Sequence, residues 1–240
     1  MYEWSRSDNV TRHMCCRATL SFVFAFAIWT TAHAEMCNSF EELVTTTPSP
    51  PTSAYSWQLF ITELSTDQVD VDLLLLGDSL AQSWPSSSLS ALRIANLGVS
   101  GDQTQHVLWR LASPELAKFS PRKVLIVIGT NNLGMNNPPC AIVAGIEKIV
   151  KRTQEIWPRT EISLLEIPPR GDRFVQKNNE RTQVNTAIRQ LSGIKTINID
   201  NEITCQWHTP CAYYKDDELH FSEAGYQLLG QIVKSTLFPN

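Results

Sequence analysis

Along the chain, short apolar runs alternate with longer stretches in which apolar residues recur at helical spacing. The runs at 71–76 (VDLLLL), 91–97 (ALRIANL), 123–128 (KVLIVI), 161–167 (EISLLEI) and 195–199 (KTINI) read as five strands. Residues 103–118, 140–157, 176–191 and 222–237 carry the 3.6-residue period and read as helices. Strands that alternate with helices imply βα units, so the predicted fold class is α/β: a three-layer α/β/α sandwich on a five-stranded parallel sheet, flavodoxin-like in outline. Ligands of such sheets bind beyond the carboxyl ends of the strands, and the residues that follow each run are therefore the first candidates for chemistry.

Ahead of this pattern stands a segment of another kind. Arg12 and Arg17 supply a positive start, Ala18 to Trp29 an apolar stretch, and Ala32, His33 and Ala34 a small-x-small cleavage site. Residues 1–34 are expected to be a signal peptide cleaved after Ala34, which would make the protein secreted or periplasmic. The apolar stretch is too short for a ~30 Å hydrocarbon core, so no stable membrane anchor is expected. Met14 would begin a compact signal by itself, and Cys37 lacks the small residue before it that a lipoprotein signal requires. Residues 35–55 are expected to form an extension ending in the linker TTTPSPPTS at 45–53, and 56–240 the catalytic domain.

Composition narrows the function. With 42% hydrophobic and 18% charged residues the chain can bury one sizeable core. The net charge of -4, without any Lys or Arg run, excludes a general electrostatic grip on nucleic acid. Beyond Ala34 remain Cys37, Cys140, Cys205 and Cys211, an even number that suggests disulfides in an oxidising compartment. Spacing alone leaves their connectivity open, although Cys205 and Cys211 are close enough to close a short loop. Oligomeric state is equally open, a homodimer included.

Polar constellations follow the strands. After the first come Gly77, Asp78, Ser79 and Leu80, where a serine at a strand-to-helix turn is exposed at the sheet edge and the helix N-terminus favours developing negative charge. The second leads into NLGVSGD (96–102), whose glycines let backbone N–H groups approach a ligand. The third leads into Gly129, Thr130, Asn131 and Asn132, which offer amide donors. Near the C-terminus stand Asp217 and His220. Residues three apart on one helical turn share a face, so Asp217 can hold the His220 imidazole while its other nitrogen meets a serine. Asp216 is one residue out of that register.

GDSL, GxSGD, GTNN and DxxH, in this order, resemble the SGNH (GDSL) hydrolase family. The stretch 96–111 (NLGVSGDQTQHVLWRL), with GTNN, GIEKIV (145–150) and PPRG (168–171), is further similar to the catalytic subunits of intracellular platelet-activating-factor acetylhydrolase. The resemblance implies a serine esterase with Ser79 as nucleophile, His220 as general base and Asp217 as its orienting acid. It also implies an oxyanion hole from the backbone N–H groups of Ser79 and Gly101 and the Asn131 side chain, and an acyl pocket narrowed by Leu80, Thr130 and Leu219 to acetyl size. No cofactor or metal is implied. The apparent signal peptide departs from those intracellular subunits, so their lipid substrate and WD-repeat partner do not carry over. The Cys205 to Asp217 segment is instead similar to SGNH domains acting on acetylated envelope sugars, which points to an O-acetylated glycan or small-molecule ester.

Other readings compete. A lone GDS is more often a turn, and Gly98 to Gly101 fits neither GxGxxG nor a P-loop. His106 and Trp109 suit packing within a helix, and His208 a surface loop. A sugar O-acyltransferase would use the same residues, a lysophospholipase or thioesterase-like lipid esterase would need a longer acyl pocket, and a silent glycan-binding module would need no triad.

Overall fold

The structure is a computed structural model that describes residues 37–51, 58, 60–62, 64–65, 70–171 and 173–239. The segment 1–34, expected to be a signal peptide, lies outside the described residues.

Five strands, β1 (Asp70–Gly77), β2 (Ile94–Gly98), β3 (Ser120–Val127), β4 (Glu161–Leu165) and β5 (Lys195–Ile197), form one parallel sheet in the order β2-β1-β3-β4-β5. The run LLLL in β1 shows why it is buried on both faces. Leu74 and Leu76 point into one apolar cluster with Val124 and Ile126, while Leu73 and Leu75 point into the other with Leu125 and Val127. All four leucines are at most 1% exposed, and each contributes about 1.5–3 kcal/mol by leaving water.

The first cluster is covered by α3 (Thr104–Arg110), α5 (Pro139–Ile156) and α6 (Asn178–Ile188), and α1 (Ser39–Thr46) packs against α3 and α5. The second lies under α2 (Ser79–Gln82), α7 (Asp200–Ile203) and α8 (Glu223–Leu237), with α4 (Thr130–Gly134) at the end of β3. The α/β/α sandwich read from the sequence is thus the observed architecture. Among the described residues no helix is long and apolar enough to cross a membrane.

Several boundaries differ from the sequence reading, three of them for clear local reasons. The helix expected over 103–118 ends at Arg110 and is followed by a 3-10 turn, Pro114–Lys118, because Pro114 cannot continue the hydrogen-bond ladder. The second strand begins at Ile94, since Ala91 takes φ +74° in the preceding turn. Thr45 and Thr46, read as the start of an extended linker, close helix α1 instead. Asn38 caps that helix by accepting from the Phe40 N–H at 3.0 Å, and Glu41 and Glu42 suit its positive end. Buried Thr45 then donates to the Ala141 carbonyl at 2.6 Å and accepts from Thr104 Oγ1 at 2.9 Å, which docks α1 on α5 and α3.

Both cysteine pairs are bonded. Cys37–Cys140 fastens the start of α1 to the start of α5, and Cys205–Cys211 closes the short loop after α7.

Candidate active site

The sheet positions the site through its register. Gly77 pairs with Gly98 of β2 and with Val127 of β3, so three strands end at one level beside the point where the strand order reverses. Ser79 opens α2 directly beyond β1. Its neighbour Asp78 is the helix cap, its Oδ1 accepting from the Leu80 N–H at 2.9 Å. Gly98 lets this turn close: a Cβ there would stand 2.2 Å from the Gln82 backbone nitrogen. Gly101 has φ +81°, the left-handed region that suits glycine, with open space where a side chain would be.

His220 Nε2 lies 3.0 Å from Ser79 Oγ, and His220 Nδ1 lies 2.7 Å from Asp217 Oδ2. Asp217 Oδ1 accepts from the backbone N–H groups of Leu219 (3.0 Å) and His220 (2.8 Å). Partial burial pushes the Asp217 carboxyl up, but the hydrogen bonds from the His220 ring and the two backbone groups outweigh it and hold the pKa down at about 2. An ionised carboxylate therefore faces the imidazole at neutral pH and favours the tautomer with Nδ1–H, leaving Nε2 free to accept from the serine. Asp216 is exposed and has no such bond.

Asn131 and Asn132 have separate tasks. Asn131 Nδ2 donates to the Asp102 carbonyl at 2.9 Å, which fixes its amide beside the Gly101 loop. Asn132 is fully buried, accepting from the Thr104 N–H at 3.0 Å, and is a structural brace. Of the positions expected to bound the acyl group, Leu80 is buried in the second core cluster, the Thr130 hydroxyl accepts from Arg170 Nη1 at 2.9 Å, and Leu219 is half-buried.

Beneath the site lies a buried charge cluster that the sequence reading missed. Arg110, 1% exposed, donates to Asp102 Oδ2 (2.8 Å), to the Leu97 carbonyl (2.8 Å) and to the Gly77 carbonyl (3.1 Å). One guanidinium thus joins the ends of β1 and β2 to the loop that carries Gly101. Burial pushes the Asp78 carboxyl up to about 7 and that of Asp102, despite Arg110, up to about 6. Asp78 Oδ2 and Asp102 Oδ1 have no hydrogen-bond partner among the described residues. The available signal was an arginine amid the apolar positions of VLWRL, eight residues after an aspartate. A cavity of 560 Å³ between α1 and α5, lined by Leu108, Lys148 and Arg152, does not include Ser79, so the site is identified by its hydrogen-bonded array.

Known proteins resemble this chain in sequence and fold. The platelet-activating factor acetylhydrolase IB subunit alpha2 of Rattus norvegicus is 30% identical over 164 residues, covering 65% of this chain and 71% of the relative. A solved structure from Streptococcus pneumonia, provisionally designated a platelet activating factor, superposes with a TM-score of 0.65 at 24% identity, covering 77% of this chain and 92% of that one. The family 3 carbohydrate esterase of Clostridium thermocellum shares the fold with a TM-score of 0.52 at 16% identity, covering 69% of this chain and 94% of that one. The model of the GDSL-like Lipase/Acylhydrolase family matches residues 66–228, and with that span the chain belongs to this family and is a carboxylic ester hydrolase.

Proposed function

We propose that the protein hydrolyses short-chain, acetyl-sized esters through a Ser79-His220-Asp217 triad, and that it does so after export. The observation that carries the reading is the unbroken relay from Asp217 to His220 to Ser79, with contacts of 2.7 and 3.0 Å. In the proposed reaction His220 Nε2 takes the hydroxyl proton as Ser79 Oγ attacks the ester carbonyl carbon. The oxyanion that forms is met by the backbone N–H groups of Ser79 and Gly101 and by Asn131 Nδ2, which has a second hydrogen beyond the one given to Asp102. Collapse expels the alcohol, protonated by His220, and leaves an acyl ester on Ser79. Water, deprotonated by His220, attacks that ester, and the carboxylic acid departs as Ser79 recovers its proton.

Acetyl size is supported by similarity to a relative whose name is acetylhydrolase. Export is supported by the two disulfides, which persist in oxidising compartments, and by the leader-like segment at 1–34. An O-acetylated carbohydrate remains the substrate class suggested by the Cys205 to Asp217 segment.

The test is Ser79→Ala with acetyl esters as substrates. Activity should fall by several orders of magnitude with unchanged folding, and a fluorophosphonate should label Ser79 in the parent. Turnover at the parent rate in the variant refutes the reading.

A further inference from the structure

The loop after β4 carries an arginine whose charge the ester hydrolysis does not use. Arg170 is half-buried. Its Nη1 donates to the Thr130 carbonyl at 2.6 Å and to Thr130 Oγ1 at 2.9 Å, and its Nε donates to Gln176 Oε1 at 3.3 Å. These bonds fix the plane of the guanidinium, which lies over Gly134, where a Cβ would stand 3.5 Å from both Nη1 and Nη2. Among the described residues no carboxylate is within ion-pair distance, and Nη2 has no hydrogen-bond partner. Burial lowers the arginine's pKa, and the Asp78 charge offsets this only in part. A partly desolvated cation with no carboxylate at contact distance among the described residues is costly unless an anion arrives to meet it.

The place of this cation is set by its neighbours. Thr130, which it grips, directly precedes Asn131. On the other side the Gly171 N–H donates to the Glu218 carbonyl at 2.7 Å, and the Arg173 N–H to Glu218 Oε2 at 2.7 Å. Tyr214 Oη donates to the Pro169 carbonyl at 2.8 Å. The loop is thereby fastened to the segment that carries Asp217 and His220, and the guanidinium stands between that segment and the Asn131 turn. Two exposed apolar residues adjoin its contacts in sequence: Met135, next to Gly134, is 66% exposed and Val175, next to Gln176, is 57% exposed.

We propose that Arg170 is an anion-recognition residue of this esterase site, and that the substrate is a short-chain ester whose alcohol portion carries a carboxylate or a phosphate. The proposal rests on the esterase reading and adds the charge of the substrate to it. A fixed guanidinium with a free edge suits an oxyanion through charge-assisted, forked hydrogen bonds, and Met135 and Val175 would border the hydrocarbon beside it. The chain's net negative charge does not oppose this, because a local cation acts at contact distance, where screening is weakest.

Binding of inert analogues tests the proposal independently of turnover. Calorimetry on the parent should find 4-acetamidobenzoate bound at least about tenfold more tightly than its methyl ester, an advantage that shrinks as salt is raised. 4-Acetamidophenyl phosphate in a parallel arm shows whether the site prefers phosphate or carboxylate. Arg170→Gln should remove the advantage of the charged ligands and leave affinity for the neutral ester in place, whereas Arg170→Lys should keep part of it. Equal affinity of the parent for charged and neutral ligands overturns the proposal, as does an Arg170→Gln variant that weakens both alike, since holding the Thr130 turn would then be its whole role. Should Arg170→Gln fail to fold, the parent comparison and the lysine variant decide. Turnover of 4-acetoxybenzoate separates the two readings: charge-dependent binding without turnover overturns the esterase mechanism and leaves the anion site standing.

Discussion

The guanidinium of Arg110 and the carboxylate of Asp102 form a buried ion pair, 2.8 Å apart, directly under the turn that presents Ser79. Because Arg110 also holds the Gly77 and Leu97 carbonyls, and Asn131 holds the Asp102 carbonyl, the turn of the proposed nucleophile Ser79 and the three groups proposed to bind the oxyanion share one scaffold. A shift in Arg110 moves them together.

Replacing Arg110 should therefore affect stability and rate at once. Arg110→Met leaves Asp102 buried without a counter-charge and should cost about 3–5 kcal/mol, read from denaturant melts. Arg110→Lys keeps the charge but cannot form three directed bonds, and should fold while kcat drops with KM little changed. A lysine variant with parent kcat would show that the fork geometry is unimportant.

Stability should depend on pH through Asp78. Its carboxyl, pushed up to about 7 in the fold from an ordinary 3.8, binds its proton more tightly folded than unfolded. Its contribution to stability is complete below pH 3.8 and is lost as pH rises through about 7. Asp102, pushed up to about 6, acts in the same direction. Asp217 runs the other way: held at about 2, it stabilises above its ordinary 3.8 and loses this as pH falls toward 2, an effect reduced by its exposure. Asp78→Asn keeps the acceptor for the Leu80 N–H and removes the titration. Its melting temperature relative to the parent should rise between pH 5 and pH 8, by an amount corresponding to a few kcal/mol at most. A pH-independent difference would contradict the assignment.

The Cys37–Cys140 bond closes a separation of 103 residues, for which the chain-entropy model gives about 4–5 kcal/mol. The double variant Cys37→Ser, Cys140→Ser should lose a large part of that in urea melts yet keep its activity at 25 °C, since the bond joins α1 to α5 rather than touching the serine. Unchanged stability would mean that Thr45 and the apolar contacts of α1 suffice to hold the N-terminal helix.

What could be read from the sequence and what could not divide along a physical line. The LLLL run, GDSL and DxxH are local signals, each carried by consecutive residues or one helical turn, and the sheet and the Ser79-His220-Asp217 array follow their order. Arg110 was missed because its partners, Gly77, Leu97 and Asp102, meet only when the ends of β1 and β2 and the loop after β2 converge. Arg170 stands in the PPRG motif, but nothing local shows that its guanidinium reaches Thr130, forty residues earlier in the chain. Helix α1 was hidden in a similar way. Its threonines read as linker because hydroxyls usually face water, whereas Thr45 spends its hydroxyl on a buried carbonyl 96 residues away.

Acyl length separates two leucines that the sequence treats alike. Leu80 is 1% exposed among core residues, so Leu80→Ala opens a cavity and should cost about 2–5 kcal/mol whatever its part in specificity. Leu219 is half-buried and flanks His220, so it can be shortened without emptying the core, and Leu219→Ala is the cleaner probe. If Leu219 bounds the acyl pocket, the parent should prefer acetyl to butyryl esters, because each added methylene must displace a side chain or stay unburied, worth about 10 to 200-fold in kcat/KM. Leu219→Ala should flatten that preference by raising butyryl turnover while acetyl turnover changes little. The measurement is kcat/KM across acetyl, butyryl and octanoyl esters of one alcohol for parent and variant. An octanoyl preference in the parent would show that Leu219 does not close the pocket, and a lipid-esterase reading would then replace the acetyl-sized one.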